Sequence, residues 1–407
     1  MISVFSLYKA AFSGIQKNIW ILSIAMLINR SGSMVLLFAS LYLTNELHFS
    51  ISDAGLIMSF FGAGSILGSY AGGWLTDRRN YLDIMLFALV FSSLILLLLL
   101  VATNGILIAC IIFSYSFTAD MFRPANAAAI ASFTQPENRT RSISLVRLAV
   151  NLGFTIGPAA GGLVALYLGY KWLFVIDCLS GLFAAVLVKY KLQGRPPDGK
   201  SHDHTVLNDS STSAYRDWRY LIFILLTALY GICFFQIVAS IPQFLSTQCN
   251  YSEATIGWIL ALNGFLVVLI ELPLITLLQK EKNTFRFIIA GTLCIPMAFA
   301  MLLTGHCLII WPVFYIAIIT LSEILAMPFM MNHSLSQPLK ERQGQYSALY
   351  SIAFGISLMA APAVGLGIAG RFGFDATFYF FSVLSILVAA GFATLKRYMK
   401  PAEARID

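Results

Sequence analysis

Glu323, Asp120 and Glu271 stand inside long apolar runs of this 407-residue chain. A carboxyl taken out of water favours its neutral form and can trade a proton near neutral pH. These three are therefore candidate proton carriers, in that order. For Glu323 the alternative is a carboxyl bonded to a neighbouring helix for structure alone. Arg30 and Arg123 lie in apolar runs as well, and Arg30 sits at a depth close to that of Asp120. An unpaired charge there is strongly destabilising, so Arg30 is expected to pair with Asp120. Arg123 lies one turn from Asp120 on the same helix and joins that network, which could equally be purely structural. Arg147 is placed to snorkel to an interface. Asp177, in the outer part of its run, receives no role. Tyr230, Gln236, Asn263 and Asn332 offer neutral polar contacts, and Phe234, Phe235 and Trp258 offer aromatic surface or plain packing.

The surroundings decide what these groups can do. Hydrophobic residues make up 58% of the chain and charged residues 11%, against about 25% charged in a soluble domain. Mean hydropathy is +0.80. The surplus apolar surface must face lipid. Runs such as 84–103 are continuous rather than alternating, so helices are the spanning elements. A mid-membrane charge costs roughly 3 kcal/mol or more, which makes each one a functional candidate.

Windows of about twenty residues predict spans at 18–44, 53–76, 83–103, 106–131, 143–168, 172–190, 219–247, 254–279, 286–304, 307–332, 345–369 and 375–395. With the N-terminus inside, the inner loops collect nearly all remaining Lys and Arg, and the opposite side carries only Lys171 and Arg371. That asymmetry predicts twelve spans with both termini cytoplasmic. It also accounts for the net charge of +7 without nucleic acid. No cleavable leader is expected, because the first apolar run is too long.

Residues 191–218 form the longest polar stretch and read as a linker between an N-terminal bundle, 1–190, and a C-terminal bundle, 219–407. His202 and His204 within it lack further ligands, so no metal site is expected. The two bundles match weakly. One constant offset pairs Pro124 with Pro328, Glu137 with Glu341, Pro158 with Pro362, Gly161 with Gly365 and Gly169 with Gly373. A nearby offset pairs Ser50 with Ser252 and Gly55 with Gly257. The shared register suggests duplication, a common transporter architecture. The six cysteines show no CxxC spacing and read as small packing residues.

Two motifs carry a resemblance. Gly73, Asp77 and Arg78, between spans two and three, stand in a Gly-x-x-x-Asp-Arg pattern, with Asn80 where a second glycine is usual. Span five holds Gly153, Gly157, Pro158, Gly161 and Gly162, with small residues every four positions. The chain resembles the major facilitator superfamily, and span five resembles the element typical of its drug/proton antiporter branch. The resemblance implies an all-α integral membrane protein with twelve transmembrane helices in two pseudo-symmetric six-helix bundles. It implies that spans one, four, seven and ten line a central cavity, which places Arg30, Asp120, Arg123, Tyr230, Gln236 and Glu323 there, with Asn263 and Asn332 as further polar contacts. It also implies that Gly73, Asp77 and Arg78 form a charge and helix-dipole latch; the alternative is a basic loop that only sets topology.

The expected activity is proton-coupled export of a small organic solute, amphipathic or peptide-like, by alternating access. Uptake symport or uniport on the same fold stays open, as do a membrane-embedded enzyme and a receptor. No Walker A, HExxH or nucleophile elbow is present, Gly62, Gly64 and Gly68 have the wrong spacing for a nucleotide site, and no catalytic residue or cofactor is expected. The expected partners are the lipid bilayer, a small-molecule substrate and protons, with the chain a monomer in a bacterial cytoplasmic membrane.

Overall fold

The computed structural model describes residues 15–76, 78–134, 139–192, 214–278, 284–303, 307–335 and 343–398. Among the described residues eleven helical runs are long and apolar enough to cross a membrane. They are Lys17–Glu46, Ile51–Thr76, Tyr81–Leu100, Gly105–Ile130, Leu145–Leu168, Lys171–Lys191, Trp218–Thr247, Glu253–Glu271, Thr284–Leu302, Ile310–Ser334 and Ala348–Tyr398. The last run has 51 residues, about 75 Å of helix against roughly 30 Å of hydrocarbon. It breaks at Gly373, whose φ of 86° and ψ of 170° are non-helical. Two spans result, so each of the twelve expected segments falls on a helical run. Large apolar side chains such as Leu179, Phe183 and Val186 on span six are exposed, as a lipid-facing helix requires. The described chain contains only helices and their connections.

The repeat is visible in the backbone. Gly169 and Gly373, paired in sequence, both take positive φ, 91° and 86°, a conformation open to glycine at little cost. His48 and Asn250, at the second offset, are the two non-glycine residues with positive φ among the described residues. Ser50 and Ser252 explain themselves as caps. The Asp53 N–H donates to Ser50 Oγ (3.1 Å) and the Thr255 N–H to Ser252 Oγ (3.4 Å), starting spans two and eight. Pro158 and Pro362 both lie inside their helices.

The first span of each repeat is broken at the same register. Span one stops at Gly32, and Ser33 (φ −70°, ψ 64°) makes a tight turn in which the Met34 N–H donates to the Gly32 carbonyl at 2.7 Å. Helix resumes over Val35–Leu41 and widens to a π-turn at Tyr42–Glu46. Span seven runs Trp218–Phe234, tightens to a 3-10 turn at Phe235–Ile237, and resumes over Ser240–Thr247.

The chain packs as two compact units, Met1–Phe38 with Ala63–Val206, and Ala39–Gly62 with Leu207–Asp407. The division departs from chain order, because residues 39–62 pack with the second unit. There the Gln243 side-chain amide donates to Thr44 Oγ1 at 3.0 Å, and a Cβ on Gly55 would lie 2.6 Å from the Pro362 carbonyl oxygen. In the first unit, Gly64, Gly68 and Gly72 lie against the backbone of Phe113, Phe117 and Met121 on span four. They are packing residues. The expected linker lies outside the described residues over 193–213, including His202 and His204.

Candidate functional site

In the second unit Asn263 of span eight and Glu323 of span ten meet. The Asn263 amide donates to Glu323 Oε2 at 3.0 Å and to Thr320 Oγ1 at 2.9 Å. Thr320 and Glu323 are one turn apart and so share a face of span ten. Glu323 and Asn263 are both half-buried. A neutral amide donor serves an ionised or a protonated carboxyl without requiring either, which suits a group that changes charge. Glu271 lies two turns along span eight from Asn263 and is buried. Asn332, near the far end of span ten, is exposed. Its neighbour His333 packs between the rings of Phe223 (4.7 Å) and Phe285 (5.0 Å).

Two expected cavity contacts are instead fasteners inside the unit. Tyr230 is fully buried, with its hydroxyl against the Ser322 carbonyl (3.2 Å) and Ser322 Oγ (3.1 Å). Gln236 is also fully buried. Its amide donates to the carbonyls of Ile232 (2.9 Å) and Ala361 (3.0 Å), and its Oε1 accepts from Ser240 Oγ (2.8 Å). It satisfies groups left open by the break in span seven and ties span seven to span eleven. Gly365 is small because Gln236 lies directly over it. Phe234 is buried and stacks on Tyr230 at 6.2 Å, whereas Trp258 is exposed.

In the first unit Asp120 is buried, and its Oδ1 pairs with Arg123 Nε at 2.8 Å. The Arg123 side chain is 55% exposed. The expected Arg30–Asp120 pair does not form: among the described residues Arg30 has no acid within ion-pair distance. The helix supplies Asp120 with a nearer partner one turn on. Arg30 lies 5.8 Å over the Phe154 ring, and its Nε is buried with no hydrogen-bond partner. Span five is shaped around it. A Cβ on Gly153 would stand 2.5 Å from the Arg30 Cβ, one on Gly157 3.2 Å from the Arg30 carbonyl oxygen, and one on Gly161 3.0 Å from Met34 Cβ. Pro158 and Gly162 are buried within the same helix. The span-five motif is thus a groove for the broken part of span one. Asp177, unassigned in sequence, accepts the Val35 N–H at that break.

Of the expected latch, Asp77 lies outside the described residues. A Cβ on Gly73 would meet nothing within 4 Å. Arg78 is exposed, with its guanidinium 4.0 Å over the Trp74 ring and Nη1 donating to the Trp74 carbonyl at 3.3 Å. Asn80 caps span three by accepting the Leu82 N–H at 2.9 Å, which accounts for its departure from glycine. Two cysteines are not simple packing residues: Cys249 and Cys307 form a disulfide, with Cα atoms 5.2 Å apart.

A paired break in the first span of each repeat is a transporter arrangement. The family model described as Major Facilitator Superfamily matches residues 20–349. The chain belongs to that superfamily. It is a membrane transporter, not an enzyme. The uncharacterized MFS-type transporter YttB of Bacillus subtilis (strain 168) is 25% identical over 382 residues, covering 90% of this chain and 91% of that protein. Multidrug resistance protein 2 of the same organism is 24% identical over 253 residues, 60% of this chain and 62% of that one. Among solved structures, a POT family transporter in complex with a thioalcohol-conjugated peptide superposes with a TM-score of 0.78 at 15% identity, covering 95% of this chain and 97% of that one. The nucleoside transporter NupG superposes at 0.76 and 14% identity, with 94% and 100% covered. At such identities these structures show the shared fold.

Proposed function

We propose that this superfamily member exports a small organic solute, amphipathic in character, in exchange for protons, with Glu323 as the carboxyl that takes and releases the proton. The observation that carries this reading is the Asn263–Glu323 contact: a half-buried acid held by a neutral amide between two spans. Protonation then changes the charge of the site without breaking its hydrogen bond. Asp120, salt-bridged to Arg123, stands second, and Glu271 third. The exposed Arg123 and Asn332 remain available to solute.

Export is supported by the resemblance of the span-five motif to that of the drug/proton antiporter branch and by the multidrug resistance protein among the relatives. Orientation is supported from two directions. Basic residues gather on one side, and the Cys249–Cys307 disulfide joins connections that fall on the other. Disulfides persist in oxidising surroundings outside the cytoplasm. Both termini are then cytoplasmic, the bacterial cytoplasmic membrane is the site, and the chain acts as a monomer.

The test is accumulation of a fluorescent amphipathic cation by energised everted vesicles. Accumulation above that of vesicles lacking the protein, abolished by a protonophore, supports export. Accumulation only by right-side-out vesicles would replace it with uptake.

A further inference from the structure

The two repeats resolve the same backbone break by different means. In span seven the break is neutral and fully bonded, because Gln236 uses both ends of its amide on Ile232, Ala361 and Ser240. In span one the corresponding place is served by a carboxyl group from span six. Asp177 is 4% exposed and accepts the N–H of Val35, the first residue after the break. Its Oδ2 is buried with no hydrogen-bond partner, and so is Arg30 Nε. Buried polar atoms left unmatched at one place call for an explanation. The segment around them is tightly set: Ser180 lies directly against Gly32, and Gly153 and Gly157 lie against Arg30 and Ser31.

We infer that Asp177 is a second proton-exchanging carboxyl of the transport cycle and that its ionisation state controls the break in span one. Ionised, it holds the Val35 N–H with a charge-assisted bond and faces the charge of Arg30. A proton taken onto Oδ2, the oxygen without a partner, leaves a neutral acceptor at Val35 and removes the counter-charge from Arg30. Charge-assisted bonds are roughly twice as strong as neutral ones, so protonation loosens the residues just after Ser33. Return of the proton to water restores the cap. The titratable and charged groups facing Asp177 are Arg30 from span one, Tyr115 from span four and the adjacent Cys178. Asp120 and Arg123 of span four act on the same cluster through Arg30. Span three meets span six through Ser93 at Gly181, which does not titrate. Asp177 touches no solute in this account; it is a positioning residue. Its place in a cycle rests on the proton-coupled reading above, but the break itself can be tested with no solute and no gradient.

The experiment is amide hydrogen exchange, read by mass spectrometry on the full chain in lipid nanodiscs at acid and neutral pH and corrected for the intrinsic pH dependence of exchange. Wild type and Glu323→Gln are expected to exchange residues 31–38 about tenfold faster in acid than at neutral pH. Asp177→Asn, a fixed neutral acceptor, is expected to exchange quickly at both. Asp177→Glu, which keeps a titrating carboxyl, is expected to retain the pH step. A wild-type segment with no pH step overturns the inference whichever variants fold, and so does an Asp177→Asn protein that keeps the wild-type step. Wild-type transport that is independent of a proton gradient, with the step intact, would instead overturn the proposed function and the place of Asp177 in a transport cycle, and leave its control of the break standing.

Discussion

Replacing Gly153 with alanine places a methyl group 2.5 Å from the Arg30 Cβ and 3.1 Å from the Arg30 carbonyl carbon and the Ser31 nitrogen. Carbon atoms rest about 3.5–4.0 Å apart, so span five must retreat from span one by about 1 Å. The obstructing atoms are backbone and the root of a side chain, which cannot swing aside. Overpacking of this kind costs about 1–3 kcal/mol, offset by up to about 1 kcal/mol because alanine suits a helix better than glycine. With the full offset the net is a loss of up to about 2 kcal/mol. At Gly157 the nearest atom is the Arg30 carbonyl oxygen at 3.2 Å, which a few tenths of an ångström relieve, so the two terms nearly cancel. At Gly73 nothing lies within 4 Å, and only the helix preference remains. The thermal midpoint of the purified protein, followed by size-exclusion fluorescence, should therefore rank Gly73→Ala at or above wild type, Gly157→Ala close to wild type and Gly153→Ala lowest. A Gly153→Ala protein as stable as Gly73→Ala would refute the close approach of spans one and five on which the account of Arg30 depends.

Gln236→Leu should lower stability by about 1–3 kcal/mol, because the Ala361 carbonyl and the Ser240 hydroxyl lose their partner in a buried site; an unchanged thermal midpoint would mean the brace is dispensable. Arg123→Leu should destabilise more than Asp120→Asn, since the first strands a buried carboxylate and the second leaves a half-exposed guanidinium to water. The reverse order of midpoints would count against the pair as drawn. Cys249 and Cys307, 58 residues apart in sequence, should resist maleimide–polyethylene glycol until reduced. Serine at both positions should lower stability by less than the roughly 4 kcal/mol of an ideal chain-entropy effect, because unfolding in a bilayer leaves the spans inserted; a larger loss in denaturant unfolding would contradict this.

Much of the architecture was legible from hydropathy alone, since lipid imposes one length and one secondary structure on every span. The repeat was legible too, and its weak identities turn out to be positions of backbone necessity: left-handed glycines at 169 and 373, and serine caps at 50 and 252. The site was less legible. In a lipid-embedded helix both the protein-facing and the lipid-facing sides are apolar, so periodicity does not say which way a lone polar residue points. Gln236 and Tyr230 looked available for solute and are spent inside the unit. Glu323 and Asn263 were singled out separately, while their contact, and the part of Thr320 in it, depends on the crossing of two helices sixty residues apart. Arg30 was matched to Asp120 by depth, but depth does not outweigh the one-turn proximity of Arg123. The role of Asp177 requires knowing that span one breaks at Ser33, which no proline announces.

The role proposed for Glu323 is to carry the proton. It is tested most directly by solute-driven proton release from energised everted vesicles bearing wild type or Glu323→Gln, matched for folded protein and screened with amphipathic cations, dipeptides and sugars. At least one amphipathic cation should discharge the gradient with wild type and fail to do so with Glu323→Gln. Discharge by the variant at the wild-type rate would contradict it and leave the Asn263–Glu323 contact a structural bond.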